Sequence, residues 1–197
     1  MEWVTTTTIL DRLHNAGAAS AWNSFLDRFR TPIISFCLKL DLGPADAEDV
    51  AQETLLAFLE AYQKKAYERG RGRLSHYLFG IAHNKILAAR RKIAGAERQV
   101  IMNDDGTGFW SAVPDSSAVQ DVWEREWREA VLSQCLDQIR TEVSFQTFEA
   151  FRLVVFEQNE PAVVAETLGM TRNAVFIAKH RVANRVRDLS VLWEEDR

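Results

Sequence analysis

Apolar residues in this chain return every three or four positions, and nowhere do they alternate with polar ones over a sustained run. Residues 20–40, SAWNSFLDRFRTPIISFCLKL, show the pattern: Trp22, Phe25, Leu26, Phe29, Ile33, Phe36 and Leu40 fall on one side of an α-helix. A strand places successive side chains on opposite faces, so this spacing excludes a half-buried sheet. Only 4 prolines and 9 glycines interrupt the 197 residues, which permits long helices. The expectation is an all-α protein.

Breaks in the pattern divide the chain. Pro32 marks a kink or a junction within the first helical stretch. In DLGPAD, Gly43 ends one helix and Pro44 opens the next, predicted from about Ala45 to Tyr67. After the loop ERGRGR a further helix is expected from about Leu74 to Ile93. The stretch NDDGTGFWSAVPDSSAVQD then loses periodicity and is rich in Gly, Asp and Ser, as a linker is. The pattern therefore predicts two small helical domains, residues 1–93 and 123–197, joined by a flexible linker at 94–122. Within the linker, Phe109 and Trp110 are either a contact that holds the domains together or a satellite of one core. In the second domain helices are expected at about Val122–Glu142, Phe145–Glu157, Pro161–Leu168 and Arg172–Trp193.

The net charge of -4 conceals strong segregation. Asp41 to Glu60 holds six acids and no base, whereas Gln63 to Ile93 holds nine bases and one acid. Residues 94–130 carry eight acids against three bases, and Thr171 to Arg187 five bases and no acid. Two basic patches separated by acidic surface fit two contacts with a polyanion.

The second basic patch lies in PAVVAETLGMTRNAVFIAKHRV, residues 161–182, which has the positions of a DNA-binding helix-turn-helix. Ala165 is small where the helices cross, and Gly169 supplies the turn with a residue tolerant of positive φ. Val164, Leu168, Met170, Val175 and Ala178 form the small core, and Thr171 is a good N-cap. Val182, Val186 and Leu189 extend the buried side of the second helix. Arg172, Asn173, Phe176, Ile177 and His180 then face outward, flanked by Lys179, Arg181 and Arg185. Phe176 and Ile177 either touch thymine methyl groups or pack on a neighbouring helix.

Other classes find little support. Cys37 and Cys135 are far apart in apolar stretches, as buried free thiols are, and no cysteine pair has zinc spacing. His14, His76, His83 and His180 form no metal-binding cluster. No nucleophile–base pair or phosphate-cradling glycine loop points to an enzyme, and no cofactor is implied. No signal peptide and no apolar run of about 18 residues is present, so a cytoplasmic chain without membrane contact is expected.

The acidic helix narrows the choice further. On PADAEDVAQETLLAFLEAY, Ala47, Val50, Ala51, Thr54, Leu55, Phe58, Leu59 and Tyr62 form one stripe. Asp46, Asp49, Gln52, Glu53, Leu56 and Glu60 take the other face. Acids near a helix start are favoured by the helix dipole, which accounts for them but not for an exposed leucine among them.

DAEDVAQETLLAFLEAY, followed by GRLSHYLFGIAHNKILAARRK and the C-terminal helix-turn-helix, resembles a bacterial RNA polymerase sigma factor of the sigma-70 family. The two-domain form is similar to the extracytoplasmic-function group, over about Trp22 to Leu189. The resemblance implies that Asp46, Asp49, Gln52, Glu53 and Leu56 dock on the clamp helices of the largest catalytic subunit of core RNA polymerase. It implies that the basic segment opens promoter DNA and reads the −10 element. Lys64, Lys65, Arg69, Arg71 and Arg73 would then lie along the backbone, with Lys85, Arg90 and Arg91 on phosphates. Asn84 would make a polar base contact, and Tyr67, His76 and Tyr77 offer either stacking surfaces or core. The family carries arginine where this chain has His83, so one phosphate contact is weakened or made pH-dependent. Thr171, Arg172, Asn173, Phe176, Lys179, His180, Arg181 and Arg185 would read the −35 element. An anti-sigma factor is a further partner the resemblance allows. The rival reading is a stand-alone helix-turn-helix regulator that binds duplex DNA without polymerase; it leaves the DAEDVAQE face unexplained.

Overall fold

The computed structural model describes residue 10 and residues 18–67, 72–93 and 117–194, and all secondary structure among them is helical. Seven helices follow in order: α1 Ala18–Lys39, α2 Pro44–Gln63, α3 Leu74–Ile93, α4 Ser117–Glu142, α5 Phe145–Val155, α6 Pro161–Leu168 and α7 Arg172–Glu194. The sequence-based bounds of α3 and α6 agree with these, while α4 begins at Ser117 rather than near Val122. Arg69, Arg71, Phe109, Trp110 and residues 94–116 of the expected linker lie outside the described residues. Among the described residues no helix is long and apolar enough to cross a membrane.

Backbone chemistry sets the helix ends. The stop after α1 is made by Asp41 rather than by Gly43. Asp41 sits at φ 60°, and the Leu42 and Asp41 N–H groups donate to the Cys37 and Leu38 carbonyls at 3.1 and 3.0 Å. This is a Schellman closure on a residue whose short polar side chain tolerates the left-handed region. Gly43 is instead the extended N-cap of α2, with Pro44 in the first turn. The same closure recurs after α2, where Lys65 takes φ 58° and Ala66 N–H reaches the Ala61 carbonyl at 2.8 Å. Pro32 does not divide α1; its ring is buried within a continuous helix.

The chain forms two compact units, with the change between Ala130 and Val131. In the first, α1, α2 and α3 pack on one another around an aromatic core. Phe25 stacks on Phe58 at 4.9 Å between centroids, and Phe58 meets Tyr67 at 5.5 Å. Tyr62 donates its hydroxyl proton to the Leu10 carbonyl at 2.7 Å. The N-terminal half of α4 completes this core. Trp123 is fully buried against Phe36 at 5.2 Å and Phe79 at 5.8 Å, and Trp127 stacks on Phe29 at 5.5 Å. Composition places a domain boundary at 94–122, but these indole contacts carry residues 117–130 into the first unit.

In the second unit Ala150, Val164, Ala165, Val175 and Ala178 form a small core, with Leu153, Val154, Leu168 and Met170 packed against it. Ser144 caps α5 by accepting from Thr147 N–H at 3.3 Å. Cys37 and Cys135 are both buried and outside any disulfide, and burial pushes the Cys37 thiol up to about 12.

Candidate functional site

α2 buries Ala47, Val50, Ala51, Thr54, Leu55, Phe58 and Tyr62 along one stripe, which turns the acidic side outward. Asp49, Gln52, Glu53 and Glu60 are exposed and Asp46 is half-buried. Leu56 stands among them 46% exposed. A ring of acids and an amide around one apolar knob offers orientation together with a small dehydrating anchor. The Glu53 carboxylate is not wholly free, since Lys85 Nζ of α3 lies 3.0 Å from its Oε2.

The neighbouring basic segment divides into exposed and buried members. Lys64 and Lys65 are exposed on the turn that closes α2, and Arg73 is half-buried. Asn84, Lys85 and Arg91 of α3 are half-buried, with Asn84 and Arg91 on the same side two turns apart. Arg90 is exposed, and its guanidinium donates to the Leu40 carbonyl at the end of α1.

The aromatics differ from the stacking role that the sequence left open. Tyr67 and Tyr77 are 4% exposed, 5.0 Å apart between centroids, and both meet the buried Phe58. Desolvation raises the Tyr77 hydroxyl above its ordinary range. They are core, because the closure after α2 turns Tyr67, and the first turn of α3 turns Tyr77, onto Phe58. His76 remains half-buried at the surface, its Nε2 3.0 Å from Glu124 Oε1 of α4. His83 also departs from expectation. It is buried beside Phe79 and so presents no phosphate contact in this state. Burial, then the positive charge of Arg90, lowers its basicity.

The α6–α7 pair has the geometry its sequence demands locally. Gly169 adopts φ 63°, and Met170 N–H closes α6 on the Ala165 carbonyl at 2.8 Å. Thr171 then caps α7 by accepting from Ala174 N–H at 3.1 Å. With Val175, Ala178, Val182 and Leu189 buried, the opposite side of α7 is open. Arg172, Asn173, Phe176, Ile177, His180 and Arg181 are exposed and Lys179 is half-buried. Arg185 departs from this set, because its guanidinium donates twice to the Glu142 carboxylate at 2.7 and 3.0 Å. Those hydrogen bonds hold the Glu142 carboxyl below its usual range.

Three residues escaped sequence reasoning: the buried Trp123, and the partner carboxylates Glu124 and Glu142. For Trp123 the signal was present in its spacing with Trp127, whereas the two carboxylates are identified only by the side chains they meet, His76 and Arg185. Among the described residues no group of three or more His, Cys, Asp or Glu is placed to hold a metal ion.

Comparison with curated proteins found no match. Residues 21–95, which hold α2, α3 and most of α1, match the family model for Sigma-70 region 2, and that match supports a sigma-70 family sigma factor.

Proposed function

We propose that the chain is a sigma factor of the extracytoplasmic-function type, a non-catalytic subunit that directs core RNA polymerase to promoters. In this reading the Asp49–Gln52–Glu53–Leu56 face of α2 docks on the clamp helices of the largest polymerase subunit. α3 and the turn before it engage the −10 element as the strands part, with Asn84 on a base and Lys64, Lys65 and Arg91 on the backbone. The exposed side of α7 reads the −35 element in the major groove. Binding is cytoplasmic and needs no cofactor.

The observation that carries this reading is Leu56, exposed among acids within the stretch that matches Sigma-70 region 2. An acidic chain is suited to such a role, because polymerase holds it on DNA and two weak phosphate contacts act together. A stand-alone regulator would account for α6–α7 but give the α2 face nothing to do. The test is co-purification with core RNA polymerase followed by run-off transcription from a genomic promoter library. Binding with promoter-dependent transcripts supports the assignment. A folded, inhibitor-free chain that binds duplex DNA but no polymerase would replace it with the stand-alone regulator.

A further inference from the structure

The open side of α7 is ordered in chemistry as well as in charge. Asn173, Phe176, Ile177 and His180 occupy successive positions of one helical stripe, and all four are exposed. Two hydrogen-bonding side chains thus bracket two apolar ones, and Ile177 is 59% and Phe176 39% exposed. The small core of the second unit is formed by the opposite side of the helix, through Val175 and Ala178. Phe176 is held at the surface by Arg172, whose guanidinium carbon lies 5.8 Å from the ring centroid. Around the stripe, Thr171 to Arg187 carries five bases and no acid, so its surroundings complement a polyanion.

Exposed apolar side chains within a cationic helix face suit an apolar partner on an anionic surface. Duplex DNA offers one in the major groove: the C5-methyl group of thymine, which no other unmodified base presents. From Asn173 to His180 the helix advances about 10 Å, which matches roughly three base steps of about 3.4 Å. Asparagine pairs in bidentate fashion with adenine, the partner of thymine.

We propose that Phe176 and Ile177 are specificity-determining residues that read thymine methyl groups in a short A·T segment, with Asn173 fixing the register on an adenine. The inference rests on α7 being the DNA-reading helix, and it adds which bases that helix selects. Its core is the methyl group, not the A·T pair as such, and that separates it from recognition by groove shape.

The test uses full-length chain, alone and with core RNA polymerase, against a duplex pool randomised across the −35 region. Enriched duplexes are then remade with deoxyuridine in place of thymidine, which removes the methyl and keeps every hydrogen-bonding group. Adjacent A·T pairs should be enriched, and the exchange should weaken binding about four-fold for each contacted methyl. Ile177→Ala, at an exposed position, should bind the two forms of the duplex more nearly alike. Enriched duplexes that bind equally well with deoxyuridine overturn the proposal. So does an Ile177→Ala chain that keeps full methyl sensitivity and loses thermal stability, which would make the stripe a packing face. If no duplex is enriched in either format while polymerase binding persists, the DNA-reading assignment of α7 itself falls, and the methyl reading falls with it.

Discussion

Trp123 of α4 meets Phe36 of α1 edge to face, with ring centroids 5.2 Å apart and planes at 84°. An indole edge carries positive charge and a ring face negative, so this arrangement adds to the burial of both. Residues 117–130 are thereby structural members of the unit that holds the stretch matching the Sigma-70 region 2 model. Trp123→Ala should destabilise that unit by about 3–5 kcal/mol, the usual cost of deleting a buried indole. Urea titration of residues 1–130 and of the variant measures the difference, and a loss below about 1 kcal/mol would show that the side chain is not packed as described.

Leu56→Asp should separate folding from docking. The side chain is 46% exposed, so helicity should be unchanged and stability should shift by at most about 0.5 kcal/mol. Retention on core RNA polymerase should fall by an order of magnitude or more, as the loss of a central apolar anchor does. A variant that co-purifies normally would remove α2 from the docking assignment.

Gly169→Ala should weaken the second unit by about 1–2 kcal/mol through backbone conformation alone. The residue sits at φ 63° and an added Cβ would meet nothing within 4 Å, so no clash contributes. Gly169→Asn should recover part of the loss, since asparagine tolerates the left-handed region better. Equal destabilisation by both would point to a steric cause instead.

His83 should make the first unit acid-sensitive. Its folded pKa is lowered from 6.5 by burial, with Arg90 adding to the effect. The unfolded chain therefore binds the proton more readily than the folded one. Stability is complete above the unfolded pKa and declines as pH falls from there toward the folded value, by at most about 1.4 kcal/mol per pH unit. Urea midpoints between neutral and mildly acid pH should show this slope, and His83→Leu should flatten it relative to the parent chain. An unchanged slope in the variant would assign the acid sensitivity to other groups.

If α7 reads DNA as proposed, Glu142 would compete with a phosphate for the Arg185 guanidinium. Arg185 is held by two hydrogen bonds to that carboxylate, so Glu142→Gln should release it. The structural loss should be small, about 0.2–1 kcal/mol for a solvent-accessible pair. Duplex affinity should rise, and the slope of log K against log salt should steepen by about 0.9 for one added phosphate contact. Unaltered DNA binding would confine Arg185 to a structural role.

Local chemistry was legible in the chain wherever it depends on neighbours in sequence. The bounds of α3 and α6, the outward side of α2 and the small core behind α7 all follow from spacing, caps and the turn at Gly169. What spacing cannot supply is the identity of the partner across a helix interface. Tyr77 and His83 have a helical period compatible with either surface or core, and only the approach of α2 and Phe79 decides. Linker composition ahead of Trp123 and Trp127 places them at the start of a new domain, yet their rings return to Phe29, Phe36 and Phe79. Glu53–Lys85 and Glu142–Arg185 join residues 32 and 43 positions apart, a separation at which charge patterning along the chain carries no information.

The seam between α1, α3 and α4 also has a consequence for synthesis. The ribosome completes α3 at Ile93 and reaches Trp123 30 residues later, a delay of about 2–6 s at roughly 5–20 residues per second. During that interval the faces of Phe29, Phe36 and Phe79 that receive the indoles have no intramolecular cover. Until α4 follows them out of the ribosome, the three helices carry an aromatic face open to solvent and to other apolar surfaces.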